Sequence, residues 1–359
     1  MVLLAIEMYR GIAQSSEIDK PDRIPQFLTP YLSDLSGLMQ FYADDLTVCY
    51  SLLQLFRDYA ERFIAMLSRA QCLALFQASA DLLKAYSEHH CALLRPSVKR
   101  VAFGYNDFEE DQSFSDVLCA IQLLIHLSSK DFMDIYTDVD GNADKNNRVD
   151  SNQITDVIFF GLQQIIPLMT QGLLQYPTLC NQYFSLVGFM MDTYPENTCV
   201  LPYNLFRSLL DSLLFGMSHI NPSISRSSLT GIRGITVEHL KNGSLSVHLA
   251  QHGDILYQCL TRLLNEVVFQ PIIWDRLEAA SLALMPLIAA HGNSIASLVN
   301  DMALKLDSFE KQQRFISSFA KLVTPEVING GYDLRRTRVQ FKKDFEAFVK
   351  DIHSFLILK

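Results

Sequence analysis

Apolar residues recur at helical spacing through nearly the whole chain. Over 111–128 they fall at Phe114, Val117, Leu118, Ile121, Leu124 and Ile125. Over 201–217 they fall at Leu201, Leu205, Phe206, Leu209, Leu210, Leu213, Leu214 and Met217. The last such set is Phe341, Phe345, Phe348, Val349, Ile352 and Leu356. Each traces a stripe along one helix face at i, i+3/i+4 and i+7. Breakers separate the stripes at intervals of roughly 20 to 25 residues. Asn221-Pro222 supplies a capping side chain followed by proline at the first helical position. Tyr176-Pro177, Leu201-Pro202 and Gln270-Pro271 place proline similarly, and His291-Gly292-Asn293 and Asn329-Gly330-Gly331 are turn signals.

The pattern predicts about fourteen helices, near 2–16, 22–42, 44–66, 68–88, 112–127, 152–170, 177–194, 202–217, 222–240, 252–269, 271–290, 294–307, 309–323 and 337–357. Irregular loops are expected near 91–111 and 130–151. One stretch disagrees locally. Ile235–Leu240 and Ser244–Leu249, on either side of Asn242-Gly243, resemble two strands around a tight turn. An isolated hairpin is marginal and nothing else in the chain offers it a sheet. The expectation over 235–249 is therefore helix to about residue 240 followed by a loop, with a hairpin as the alternative.

Helices of similar length, short links and stripes wide enough to bury two sides predict an all-α fold, an α-solenoid of HEAT-type helical repeats. A compact bundle would need helices long enough to converge on one centre. The expected organisation is a single continuous array over 1–359.

The chain carries 30 basic against 39 acidic residues, which disfavours nucleic acid as a partner. The acid is unevenly spread. From Arg335 onward there are seven Lys/Arg and three Asp/Glu, leaving 23 and 36 in residues 1–334. Seven scattered cysteines without paired spacing read as reduced, buried thiols of an intracellular protein. The start MVLLAIEMYRGIA lacks the basic segment, long apolar core and cleavage site of a signal peptide. There is also no run of about 18 uncharged apolar residues. A membrane role is not expected.

Chemistry finds little support. Asp138–Asp150, DVDGNADKNNRVD, imitates a calcium loop. With Asp138 at position 1, Asp140, Asn142 and Asp144 reach positions 3, 5 and 7. Ala143 then takes the turn-glycine position and Val149 the place of the bidentate glutamate. A polar inter-helix loop is the better reading. His248 and His252 are four apart but have neither the adjacent glutamate of a zinc-protease helix nor a third ligand, and read as an exposed pair near a helix start. His89-His90-Cys91 ends a helix, where histidine suits the negative dipole end. Arg335-Arg336-Thr-Arg338 with Lys342-Lys343 reads as a solvated helix start, with phosphate binding as the alternative. No nucleophile-elbow serine and no phosphate loop occurs, so no enzyme, cofactor or metal site is expected. The acidic residues expected to face a basic partner are Asp107, Glu109, Glu110 and Asp111, with Asp138, Asp140 and Asp144.

Three segments carry a family resemblance: Ile154-Thr-Asp-Val-Ile-Phe-Phe-Gly-Leu-Gln-Gln-Ile-Ile-Pro-Leu-Met169, Tyr176-Pro-Thr-Leu-Cys-Asn-Gln-Tyr-Phe184 and Leu201-Pro-Tyr-Asn-Leu-Phe-Arg-Ser-Leu-Leu210. Together they resemble the carboxy-terminal part of the exportin-4 family, closely over roughly 152–217. A weaker likeness runs through YAERF, LLKAYS and the final FEAFV helix. The resemblance implies a nuclear transport receptor of the importin-β (karyopherin) superfamily, built of HEAT repeats and longer than this chain. It implies binding of cargo together with Ran-GTP, contact with phenylalanine-glycine nucleoporins, and shuttling between nucleus and cytoplasm. The implied cargoes are translation factor 5A and Smad-type factors. A helical-repeat scaffold or adaptor without transport activity is the alternative that the residues alone leave open.

Overall fold

In the computed structural model the described residues are 1–15, 23–93, 114–129, 151–169, 172–270, 274–292 and 294–356. They are helical, with no strand among them. In chain order the helices are α1 (Val2–Gln14), α2 (Arg23–Leu28), α3 (Leu32–Phe41), α4 (Leu46–Phe63), α5 (Arg69–Leu93), α6 (Ser115–Ser128), α7 (Ser151–Ile165), α8 (Pro177–Thr193) and α9 (Pro195–Cys199). They continue as α10 (Tyr203–Met217), α11 (Pro222–Asn242), α12 (Ser246–His252), α13 (Ile255–Phe269), α14 (Trp274–Ala290), α15 (Ile295–Ala303), α16 (Phe309–Ala320), α17 (Pro325–Ile328) and α18 (Arg335–Leu356). The predicted stripes lie inward. Leu205, Phe206, Leu209, Leu210, Leu213, Leu214 and Met217 of α10 are all buried, each stabilising by about 2 kcal/mol before chain entropy is counted.

The stops follow local chemistry. Asn221 caps α11 by accepting from the Ser223 N–H, and Pro222 stands at the first turn. The same helix ends on Gly243 at φ +68°, whose N–H reaches the His239 carbonyl, a left-handed cap that suits glycine. Asp45 and Asp254 cap α4 and α13 in the same way as Asn221. Pro30 tightens Thr29–Tyr31 into a 3-10 turn, so the single helix expected over 22–42 is two. The 235–249 region also departs from expectation. Helix α11 runs through Ile235, Thr236 and Val237, with Ile235 and Thr236 buried. The stretch expected to be a loop folds into α12 after Gly243. Burial of a helical stripe overrides the β-leaning residue types.

The chain forms two compact units, Met1–Tyr183 and Phe184–Lys359. In the first, helices stack in two rows. Helix α4 packs on α1 and α6, while α5 packs on α3 and α7, and the sequence neighbours α4–α5 and α6–α7 join the rows. In the second, α11 packs on α14 and α14 on α18, with α10 beside α11 and α13 beside α14. Each helix thus rests on helices one repeat away, as in a helical-repeat array. No single helix among the described residues is long and apolar enough to cross a membrane. The six cysteines 49, 72, 119, 180, 199 and 259 are buried and unbridged.

Candidate partner-binding surfaces

The seven acidic residues singled out from the sequence, Asp107, Glu109, Glu110, Asp111, Asp138, Asp140 and Asp144, lie outside the described residues, as does the calcium-like stretch. Among the described residues, no group of three His, Cys, Asp or Glu side chains is placed to hold a metal ion.

The histidine pair is not the exposed pair expected. His248 is 8% exposed. Its Nε2 lies 3.1 Å from the Cys199 carbonyl oxygen, and its ring stacks on Phe206 with centroids 4.9 Å apart. His252 is exposed and stacks on Tyr203 at 3.4 Å. Both rings are used to dock α12 onto α10. The amphipathic turn hides this in the sequence, because the aromatic partners lie more than 40 residues away.

Three openings stand out among the described residues of the second unit. A cavity of about 240 Å³ lies among α8, α11, α14 and the start of α18. Its walls include Asp192, Arg233, Glu238, Lys241, Tyr332, Asp333 and Arg338, and its apolar floor includes Leu282, Met285 and Pro286. The Arg233 guanidinium donates to both Asp192 oxygens at 2.7 and 3.0 Å. Lys241 meets Asp333 at 2.8 Å, and the hydrogen bond to Asp333 raises the lysine pKa. Glu238 is buried but accepts from Asn242 at 2.9 Å and Ser244 at 2.6 Å, which compensates its desolvation.

A second cleft, of about 520 Å³, runs between the α16–α17 link and α18. Lys321 and Arg336 stand above Leu322, Val327, Leu334 and Phe341. A third, shallow groove of about 570 Å³ follows one face of α13, from Tyr257 through Thr261 and Asn265 to Phe269. Beside it Arg207 donates to Asp211 and Gln258, and Arg276 donates to the Met217 carbonyl at 2.7 Å.

These openings combine exposed charge with apolar floors and lack a convergent nucleophile, base or metal set. The family model that matches residues 25–359 is described as Exportin-4. That family is one of transport receptors rather than enzymes. The chain belongs to the exportin-4 family and is a segment of a nuclear export receptor.

Proposed function

We propose that this chain is the carboxy-terminal segment of a longer receptor that binds cargo together with Ran-GTP and carries it through the nuclear pore. The family match over residues 25–359 carries the reading. The cargo class is a protein with a basic surface, of the translation factor 5A or Smad kind. The excess of 36 acidic over 23 basic residues in 1–334 suits such a cargo. Phenylalanine-glycine nucleoporins are the partners during transit, and the receptor shuttles between nucleus and cytoplasm. Cargo and Ran-GTP each favour the same receptor conformation, so each raises the affinity for the other by the same factor.

The test is capture of translation factor 5A on the immobilised full-length receptor, with and without GTP-locked Ran. Capture that requires Ran is expected. Capture indifferent to Ran, together with no retention on phenylalanine-glycine repeats, would mean a scaffold without transport activity.

A further inference from the structure

Helix α1 is apolar on two faces. Its inner face carries Ile6 and Ala13 onto α4, with Arg10 and Gln14 bonded to Asp58. The opposite arc runs through Leu4, Ala5, Met8, Gly11 and Ile12 at i, i+3/i+4 and i+7 spacing and holds no charged residue. Leu4 is 67% and Met8 62% exposed, and a β-carbon added at Gly11 would meet nothing within 4 Å. Beside this arc the rings of Tyr9, Phe27 and Tyr31 form a triangle with centroids 5.7 to 6.4 Å apart. Phe27 and Tyr31 are 47% and 44% exposed.

A helix that is apolar all round is built for burial on both sides. Among the described residues, Leu4, Ala5, Met8 and Gly11 are left open to solvent. Helix α18 shows the alternative, an outer side suited to water. It buries Phe341, Phe345, Phe348, Val349 and Ile352, while Arg336, Gln340, Lys343, Lys350 and Ser354 face outward. Repeat arrays need such a polar side where stacking stops, and α1 lacks one. The first unit also shows what kind of neighbour fits. Helices α1, α4 and α6 form one row and α3, α5 and α7 the other, so the inner face of α1 already packs on the helix one pair further along its own row.

We infer that the outer arc of α1, walled by Phe27 and Tyr31, seats a helix of the same receptor that lies outside these 359 residues, and that this occupant is the next member of the α1–α4–α6 row. The inference rests on reading the chain as part of a longer receptor. One repeat of this type is about 40 residues, so the occupant lies about one repeat upstream of α1. The helix immediately before α1 in sequence belongs to the other row and packs on α3 instead. Leu4 and Met8 enter the apolar stripe of the occupant, while Ala5 and Gly11 let its backbone come close. The arc offers no charge, so it selects an amphipathic helix by apolar fit rather than by ion pairs.

The test places single cysteines on the two outer faces, Met8→Cys and Lys350→Cys, in the 359-residue chain and in the full-length receptor. Alkylation is read site by site by mass spectrometry. Position 8 should label fast in the chain and at least about tenfold slower in the receptor, as burial behind a packed helix requires. Position 350 should label equally fast in both. Leu4→Cys repeats the measurement if Met8→Cys disturbs the thermal melt. A benzophenone photo-crosslinker at position 8 of the full-length receptor then identifies the occupant, and the cross-link should fall in the helix about one repeat upstream. Equal labelling at position 8 in both proteins, slow labelling there already in the chain, or a cross-link to a second copy, to another polypeptide or to the helix immediately before α1 each overturns the inference. Transport is scored separately. Ran-independent capture with position 8 still protected sinks the transport reading alone, and Ran-dependent capture with position 8 unprotected sinks this inference alone.

Discussion

The two units solve one problem by different means. In Met1–Tyr183, helices from different repeats are tied by a buried ionic knot. Asp58 on α4 is 4% exposed. It accepts from Arg10 at 2.9 Å and Gln14 at 2.7 Å on α1, and from Arg57 Nε at 2.9 Å. Arg10 also donates to Gln54 and Arg57 to Gln122, so α1, α4 and α6 are joined by one set of directional bonds. In Phe184–Lys359, the helices α8 and α11 share one ion pair, Arg233 with Asp192, but otherwise meet backbone to backbone. A β-carbon added at Gly188 would lie 2.3 Å from the Ser227 carbonyl oxygen, and one at Gly234 would lie 2.5 Å from the Asp192 α-carbon. Gly231 sits between, 3.3 Å from the Gly188 α-carbon by the same construction. Directional bonds and steric fit both fix the register of stacked helices. They fail differently, which makes the comparison testable.

The largest effect is expected at the glycine seam. An alanine in a helix interior usually stabilises relative to glycine. Gly188→Ala and Gly234→Ala should each instead cost about 3 kcal/mol or more, because rigid backbone occupies the added methyl's place. Gly161 on α7 is the internal control. There the added atom meets the tips of Leu124 and Leu83, which can turn aside, so Gly161→Ala should cost about 1 kcal/mol. Denaturant midpoints of the three variants rank them, and equal losses would remove the distinction.

Next comes the knot. Asp58→Ala leaves Arg10 and Arg57 half-buried without their counter-charge and should cost about 2 to 3 kcal/mol. Asp58→Asn keeps the shape and should cost less. Chemical denaturation reads both, and a loss near zero for Asp58→Ala would mean that the knot is decorative.

A smaller effect is expected with pH. Burial pushes the Asp58 carboxyl up, but hydrogen bonds from Arg10, Arg57 and Gln14 outweigh it and hold the carboxyl below its ordinary range. Its folded pKa is thus below its unfolded one. The contribution to stability is complete above about pH 4 and is lost as the pH falls through the folded value. Asp351, depressed by its hydrogen bond from Arg314, behaves alike in the second unit but is more exposed, so solvent weakens it. Melting temperature between neutral and strongly acid pH should therefore flatten more in Asp58→Asn than in Asp351→Asn.

The least perturbing test concerns thiols. Burial raises Cys49 and Cys180 to about 11, and Cys119, Cys199 and Cys259 to about 12. Alkylation of these five thiols at neutral pH should be slow in the folded chain and rapid in denaturant, since the thiolate is the reactive form. Fast native labelling of Cys119 would show that α6 opens locally.

Much of the helical pattern could be read beforehand because burial here is local in sequence. The stripe on α10 and the caps at Asn221 and Gly243 are written within a few residues of the structure they make. What could not be read was pairing at a distance. Arg10 and Asp58 are 48 positions apart, and Cys199 and His248 are 49 apart. Nothing in their neighbourhoods names the partner. Helix α12 was hidden for another reason, since Ser-Leu-Ser-Val-His-Leu alternates like a strand until Phe206 and Tyr203 supply surfaces for its histidines. The expected acidic contacts at Asp107–Asp111 and Asp138–Asp144 lie outside the described residues. The arginines opening α18 were visible as a charge run, but the clefts beside them exist only once α14, α16 and α17 are in place.

The Gly188–Gly231–Gly234 seam has a mechanical consequence. Where two helix backbones touch directly, no side-chain rotamers remain to absorb displacement, and the joint is as stiff as the helices themselves. Helices α8 and α11 therefore travel as one strut. Deformation of the second unit is then left to contacts that side chains mediate, such as that of α14 with α18. The compliance of this half of the molecule is set by those contacts.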